Sequence, residues 1–203
     1  MSPVGILGGS FNPPHAGHLV CARMAAEQLG LERVLVMPLC EAPHRVLEGD
    51  PGAQERLEMC RLAVAGDEVL EACDEEVGRG GTSYTVETLE ALERSGAAPD
   101  PTLILGADAA RGLPGWKEPG RVLELAALAI APRGTGDDAE RAAGELRARF
   151  PHARISTFSM PLVEFSSSLV RERVAAGLSV RDMVPPEVDG LIGSQGWYRR
   201  GVS

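Results

Sequence analysis

Residues 8–18 read GGSFNPPHAGH, directly after the apolar run Val4–Leu7. A short apolar run ending in Gly8-Gly9 reads as a buried strand. The glycines let the backbone turn tightly and come close to a ligand. Asn12, Pro13 and Pro14 are turn formers. A helix then opens near His15–His18, where the first amides lack intrahelical partners and the dipole favours negative charge. His15 and His18 stand three residues apart, so both rings fit one side of the first turn. Strand, glycine turn, helix start and two imidazoles together describe an anion site.

The pattern continues outward from there. The sequence predicts helix over Gly17–Leu29, capped by Gly30, and a second buried strand over Val34–Met37, stopped by Pro38. A loop from Leu39 to Gly52 leads to a helix over Ala53–Ala65 and a strand over Glu68–Cys73. The segment GRGGT, Gly78–Thr82, reads as a flexible connection into a helix over Thr85–Arg94. Strands follow over Thr102–Leu105, Leu128–Ala131 and Arg154–Thr157. Helices are expected over Asp137–Arg149, Ser167–Ala176 and from Pro185 or Pro186 onward. Strand–helix alternation along the chain is the mark of an α/β fold, a doubly wound open parallel sheet. No repeat or linker divides it, so residues 1–203 read as one domain. Gly8-Gly9, Pro38–Arg45, Gly106 with Asp108, and Arg133 each follow a strand. In such sheets ligands bind beyond the carboxyl ends of the strands, so these segments should converge.

Composition narrows the classes. The 203 residues are 44% hydrophobic and 24% charged, as in a globular protein. The net charge of −9 and the lack of a basic stripe argue against nucleic acid as a partner. No apolar window is long enough to span a membrane, and no signal peptide is visible, so the expected location is cytoplasmic. Cys21, Cys40, Cys60 and Cys73 have neither zinc nor disulfide spacing and read as small buried hydrophobes. Lys117 is the sole lysine, read here as compositional bias. No Walker-type GxxxxGK[ST] and no GxGxxG is present. A metal pair at His15 and His18 would lack further ligands nearby, and purely structural histidines remain open. Three of the four histidines, at 15, 18 and 44, follow the first two strands, which favours function.

GGSFNPPHAGH resembles the signature of the HxGH nucleotidyltransferase superfamily, in the form used by bacterial nicotinate mononucleotide adenylyltransferases. PLCEAPHR (Pro38–Arg45), TSYTVETL (Thr82–Leu89), GADAARGLPGWKEP (Gly106–Pro119), FSSSLVR (Phe165–Arg171) and GSQGWYR (Gly193–Arg199) resemble further motifs of that family in the same order. The resemblance implies a Rossmann-like nucleotidyltransferase fold. It implies adenylyl transfer from ATP to nicotinate mononucleotide, giving deamido-NAD and pyrophosphate, by direct attack and without a covalent enzyme intermediate. Catalysis would rest on positioning and charge stabilisation. The catalytic residues it implies are His15, His18 and Arg171. Its ATP contacts are Gly8, Gly9, Ser10, Phe11, His15, His18, Gly106, Asp108, Ser166, Ser167, Ser168 and Arg171. Its acceptor contacts are His44, Arg45, Tyr84, Thr85, Trp116 and Arg133, with the acceptor carboxylate at the helix start of Tyr84 and Thr85. Mg²⁺ would accompany ATP, held mainly through phosphates and water, with no dedicated protein metal site. A homo-oligomer is compatible with it.

Plainer readings stand beside these. The serine cluster could simply cap a helix, Asp108 could be an N-cap, Trp116 could be a lid over the core, and Arg133 could be an exposed arginine. Leu39 and Cys40 replace paired asparagines of the family, Ala42 replaces a proline, and Phe165–Ser168 vary the ISST element. The first change leaves acid against amide preference open, so nicotinamide mononucleotide or mixed use is the alternative. A nucleotide-binding regulator without catalysis, and a histidine-metal hydrolase, rank below it.

Overall fold

The computed structural model describes residues 3–43, 46–132 and 137–199. Six strands form one sheet: β1 (Val4–Gly9), β2 (Arg33–Pro38), β3 (Leu70–Ala72), β4 (Thr102–Gly106), β5 (Ala127–Ala131) and β6 (Ile155–Thr157). Their order is β3-β2-β1-β4-β5-β6, and every pairing is parallel. The helices are α1 (Ala16–Leu29), α2 (Ala53–Ala63), α3 (Glu75–Arg79), α4 (Thr85–Ser95), α5 (Ala107–Gly112), α6 (Pro119–Leu125), α7 (Asp137–Arg149), α8 (Ser167–Ala175) and α9 (Pro186–Gln195), with a 3₁₀ turn at Leu113–Gly115.

The strands are apolar on both sides because both faces are covered. Successive residues point to opposite faces. Ile6, Leu103, Leu105, Leu128 and Ile130 join one core with α4, α6 and α7. Leu7, Ile104, Ala129 and Ala131 join the other with α1. A third cluster packs Met59 of α2 against Val170 of α8 and Val188 and Ile192 of α9. Gly30 closes α1 with φ +63°, the left-handed conformation glycine adopts without strain.

β1 and β4 lie side by side, Leu7 opposite Ile104. The helices that leave them go to opposite faces: Ala22 and Ala25 of α1 to one core, Ala107 and Ala110 of α5 to the other. The sheet order reverses there, which leaves a crevice beyond Gly9 and Gly106. The expected strand and helix positions hold within a residue or two. Three helices are additions. α3 takes up Gly78 and Arg79 of the segment read as a flexible connection, and only Gly80 and Gly81 beyond it have positive φ. α5 and α6 were not expected, because each is under eight residues long.

Candidate active site

His15 is the N-cap of α1, and its own N–H donates to His18 Nδ1 at 3.1 Å. That bond settles the tautomer. With Nδ1 accepting, neutral His18 carries its proton on Nε2 and is a donor there. The two rings lie 3.7 Å apart between centroids, and Phe11 meets His18 edge-on at 4.8 Å. Burial pushes His15 down to about 4, and burial followed by the charge of His15 pushes His18 well below the usual histidine range. Both imidazoles are therefore neutral donors near pH 7. His15 Nδ1 is buried with no hydrogen-bond partner among the described residues. Such an atom carries a desolvation cost that a ligand can relieve. The Phe11 side chain is buried against His18, and its φ of +45° lies in the left-handed region.

Asn12 ties this loop to distant parts of the chain. Arg171 Nη1 donates to the Asn12 carbonyl at 2.8 Å, and Ser167 Oγ donates to the Pro13 carbonyl at 2.8 Å. The Tyr198 hydroxyl donates to Asn12 Oδ1 at 2.8 Å, and Asn12 Nδ2 donates to the Glu48 carbonyl at 3.0 Å. Ser166 caps α8 by accepting from the Leu169 N–H at 3.1 Å, so the capping reading is met. Ser10, Ser166, Ser167, Ser168 and Arg171 nevertheless line one cavity of about 340 Å³ beside this loop.

Two further cavities flank the end of β1. One, of about 520 Å³, is lined by His15, His18, Gly106, Asp108 and the segment Met160–Val163 with Phe165. Asp108 lies in the first turn of α5, whose N-cap is Gly106, and is paired with Arg111 at 2.9 Å. The other, of about 360 Å³, is lined by Gly9, Glu76, Ser83, Tyr84, Thr85, Trp116 and Lys117 among others. Gly8 and Leu105 line both. Trp116 is half-buried and packs on the core while it lines the cavity, so lid and wall are one residue. A wider groove of about 690 Å³ opens at the amino-terminal ends of the strands, among Glu32, Arg33, Asp67, Glu68 and Glu71. None of the residues singled out from the sequence reaches it. His44, Arg45 and Arg133 lie outside the described residues.

Several site residues were not foreseen. Arg56 of α2 is fully buried, and its guanidinium donates to the carbonyls of Ser10 (3.0 Å), Leu39 (2.6 Å) and Cys40 (2.9 Å) and to Asp50 (2.8 Å). It thus holds the loops after β1 and β2 together. Its signal was an arginine in helical register with buried Met59 and Cys60. Glu76 enters the 360 Å³ cavity, its carboxyl raised by burial and moderated by hydrogen bonds with Thr88 and Ser83. Lys117, read as compositional bias, places Nζ 4.7 Å from the Tyr84 ring centroid and 2.6 Å from Glu87 Oε1.

A parallel sheet with a crevice at its switch point, and paired imidazoles at the start of the first helix, has the architecture of a nucleotidyltransferase. The chain belongs to the cytidylyltransferase-like family, whose family model matches residues 6–173. A probable nicotinate-nucleotide adenylyltransferase from Synechococcus sp. (strain JA-3-3Ab) is 37% identical over 93% of this chain and 91% of its own. One from Thermomicrobium roseum is 37% identical over 98% of this chain and 92% of its own. In fold, the chain is similar to the Plasmodium falciparum nicotinic acid mononucleotide adenylyltransferase complexed with NaAD, with a TM-score of 0.77, 17% identity and 98% of each chain covered.

Proposed function

We infer that this chain transfers the adenylyl group of ATP to nicotinate mononucleotide, giving deamido-NAD and pyrophosphate. The observation that carries the reading is the meeting of two cavities over Gly8, with His15 and His18 lining one of them. A donor nucleotide in the 520 Å³ cavity and an acceptor in the 360 Å³ cavity would bring their phosphates together at that glycine. The acceptor phosphate is already ionised near neutral pH, so no protein base is required. In-line attack then displaces pyrophosphate from the α-phosphorus in one step.

The neutral Nε2–H of His18 stabilises charge on the α-phosphoryl oxygens, with His15 beside it. The amides of Gly9 and Ser10 add donors. Ser166, Ser167, Ser168 and Arg171 receive the β- and γ-phosphates. Gly106 and Asp108 face the adenosine ribose. Tyr84 and Thr85 open α4 and receive the acceptor carboxylate, and Trp116 stacks on the pyridine ring. His44, Arg45 and Arg133 remain acceptor contacts in this reading, on sequence grounds. Among the described residues no three His, Cys, Asp or Glu side chains gather as a metal cage. A magnesium ion would ride on ATP, with phosphate oxygens and water as its main ligands. The reading treats residues 1–203 as one nucleotidyltransferase domain acting in the cytoplasm.

The test is pyrophosphate release with ATP and Mg²⁺, with nicotinate mononucleotide and nicotinamide mononucleotide compared. Preference for the acid is expected. Absence of release with either mononucleotide would sink the reading.

A further inference from the structure

The acceptor-side cavity holds an acid where an anionic ligand is expected. Glu76 stands in its wall, and Glu87 lies just beyond it on the first turn of α4. A ring carboxylate entering there needs a cation as well as the amides that open α4. Among the described residues that line this cavity, Lys117 is the sole cationic side chain. Its ammonium stands over Tyr84, the N-cap of α4, beside the first backbone donors of that helix. Lys117 and Glu87 are each about two-fifths exposed, so water screens their pairing and it is readily exchanged. A ligand carboxylate inside the cavity, with a ring covering it, is screened less and competes well for the same ammonium.

We propose that Lys117 is a specificity-determining residue: it leaves Glu87 for the carboxylate of the pyridine ring, and so makes the enzyme prefer the acid over the amide. The inference rests on the adenylyltransferase reading above. It assigns to one side chain a selection that the backbone at Tyr84 and Thr85 would otherwise make alone. Without Lys117, the carboxylate would face Glu76 and Glu87 uncompensated, whereas the uncharged amide would not.

The experiment compares kcat/KM for nicotinate and nicotinamide mononucleotides in wild type, Lys117→Met and Lys117→Arg, with thermal midpoints measured alongside. Losing one charge-assisted contact should lower the acid-to-amide ratio about 10-fold in Lys117→Met, mostly through KM for the acid, and Lys117→Arg should restore most of it. A second readout needs no turnover. Lys117 is the only lysine in the chain, so reductive methylation with formaldehyde reports on this one side chain in the peptide that carries it. Nicotinate mononucleotide should protect it, and nicotinamide mononucleotide should not. An unchanged ratio, or equal losses with both acceptors, overturns the role of Lys117 while leaving the adenylyltransferase reading in place. A wild-type protein inert toward both acceptors overturns that reading and this inference with it.

Discussion

The two cavities that share Gly8 are built from different materials. The proposed donor side has two neutral imidazoles beside the turn after β1, which is fastened by bonds to Asn12 and Pro13 from residues more than 150 positions away. The proposed acceptor side is walled by an aromatic pair, a lone lysine and a partly buried acid. A turn tied down from so far along the chain tolerates little change. Side chains without such ties can be exchanged one at a time, so the proposed acceptor half can be retuned without disturbing the sheet.

The strongest way to break this contrast is to strike the shared chemistry. His18→Ala should lower turnover with either acceptor by about 10²–10³-fold, the usual cost of one lost oxyanion donor, with circular dichroism unchanged. Near-full activity in the folded variant would remove His18 from the chemistry. Next comes the joint between the halves. Arg56→Met takes the guanidinium away from Asp50 and three carbonyls, and should cost about 3 kcal/mol in urea unfolding. A loss below about 1 kcal/mol would mean that the two loops hold themselves without it.

The mildest test is acid. His15 is held near 4 in the folded protein against 6.5 for the free side chain. Between those values the unfolded chain binds a proton that the folded one excludes, so stability is full above pH 6.5 and falls as pH drops towards 4. The expected slope is about 1 kcal/mol per pH unit, and His18 acts in the same direction. His15→Asn should flatten this limb in thermal scans from pH 4 to 7. An unaltered limb would show that other groups set it.

Most of the sheet was legible because buried parallel strands write themselves as short apolar runs followed by glycine or proline. Val4–Leu7 and Val34–Met37 are of this kind. α5 was hidden because it begins at the residue after β4, with no intervening loop to announce it. α6 was hidden behind Glu118, whose φ of +49° is unusual for a non-glycine residue. In the candidate site, the residues that carry their signal in local spacing were visible, His15 with His18 above all. Arg56 was not, because three of its four partners are main-chain carbonyls up to 46 residues away, and a carbonyl has no letter in the sequence. Lys117 was visible as a rarity, but its position over Tyr84 depends on how the Pro114-Gly115-Trp116 turn brings two segments together.

The bond from Tyr198 to Asn12 joins residues 186 apart. On the ribosome, at ordinary elongation speeds, roughly 10–40 s separate the synthesis of these two partners. The first motif to emerge is thus among the last to be finished. A nascent chain can assemble β1, β2 and their helices while Asn12 still waits for its tyrosine. The fold thereby delays completion of the loop after β1 until all six described strands have been made.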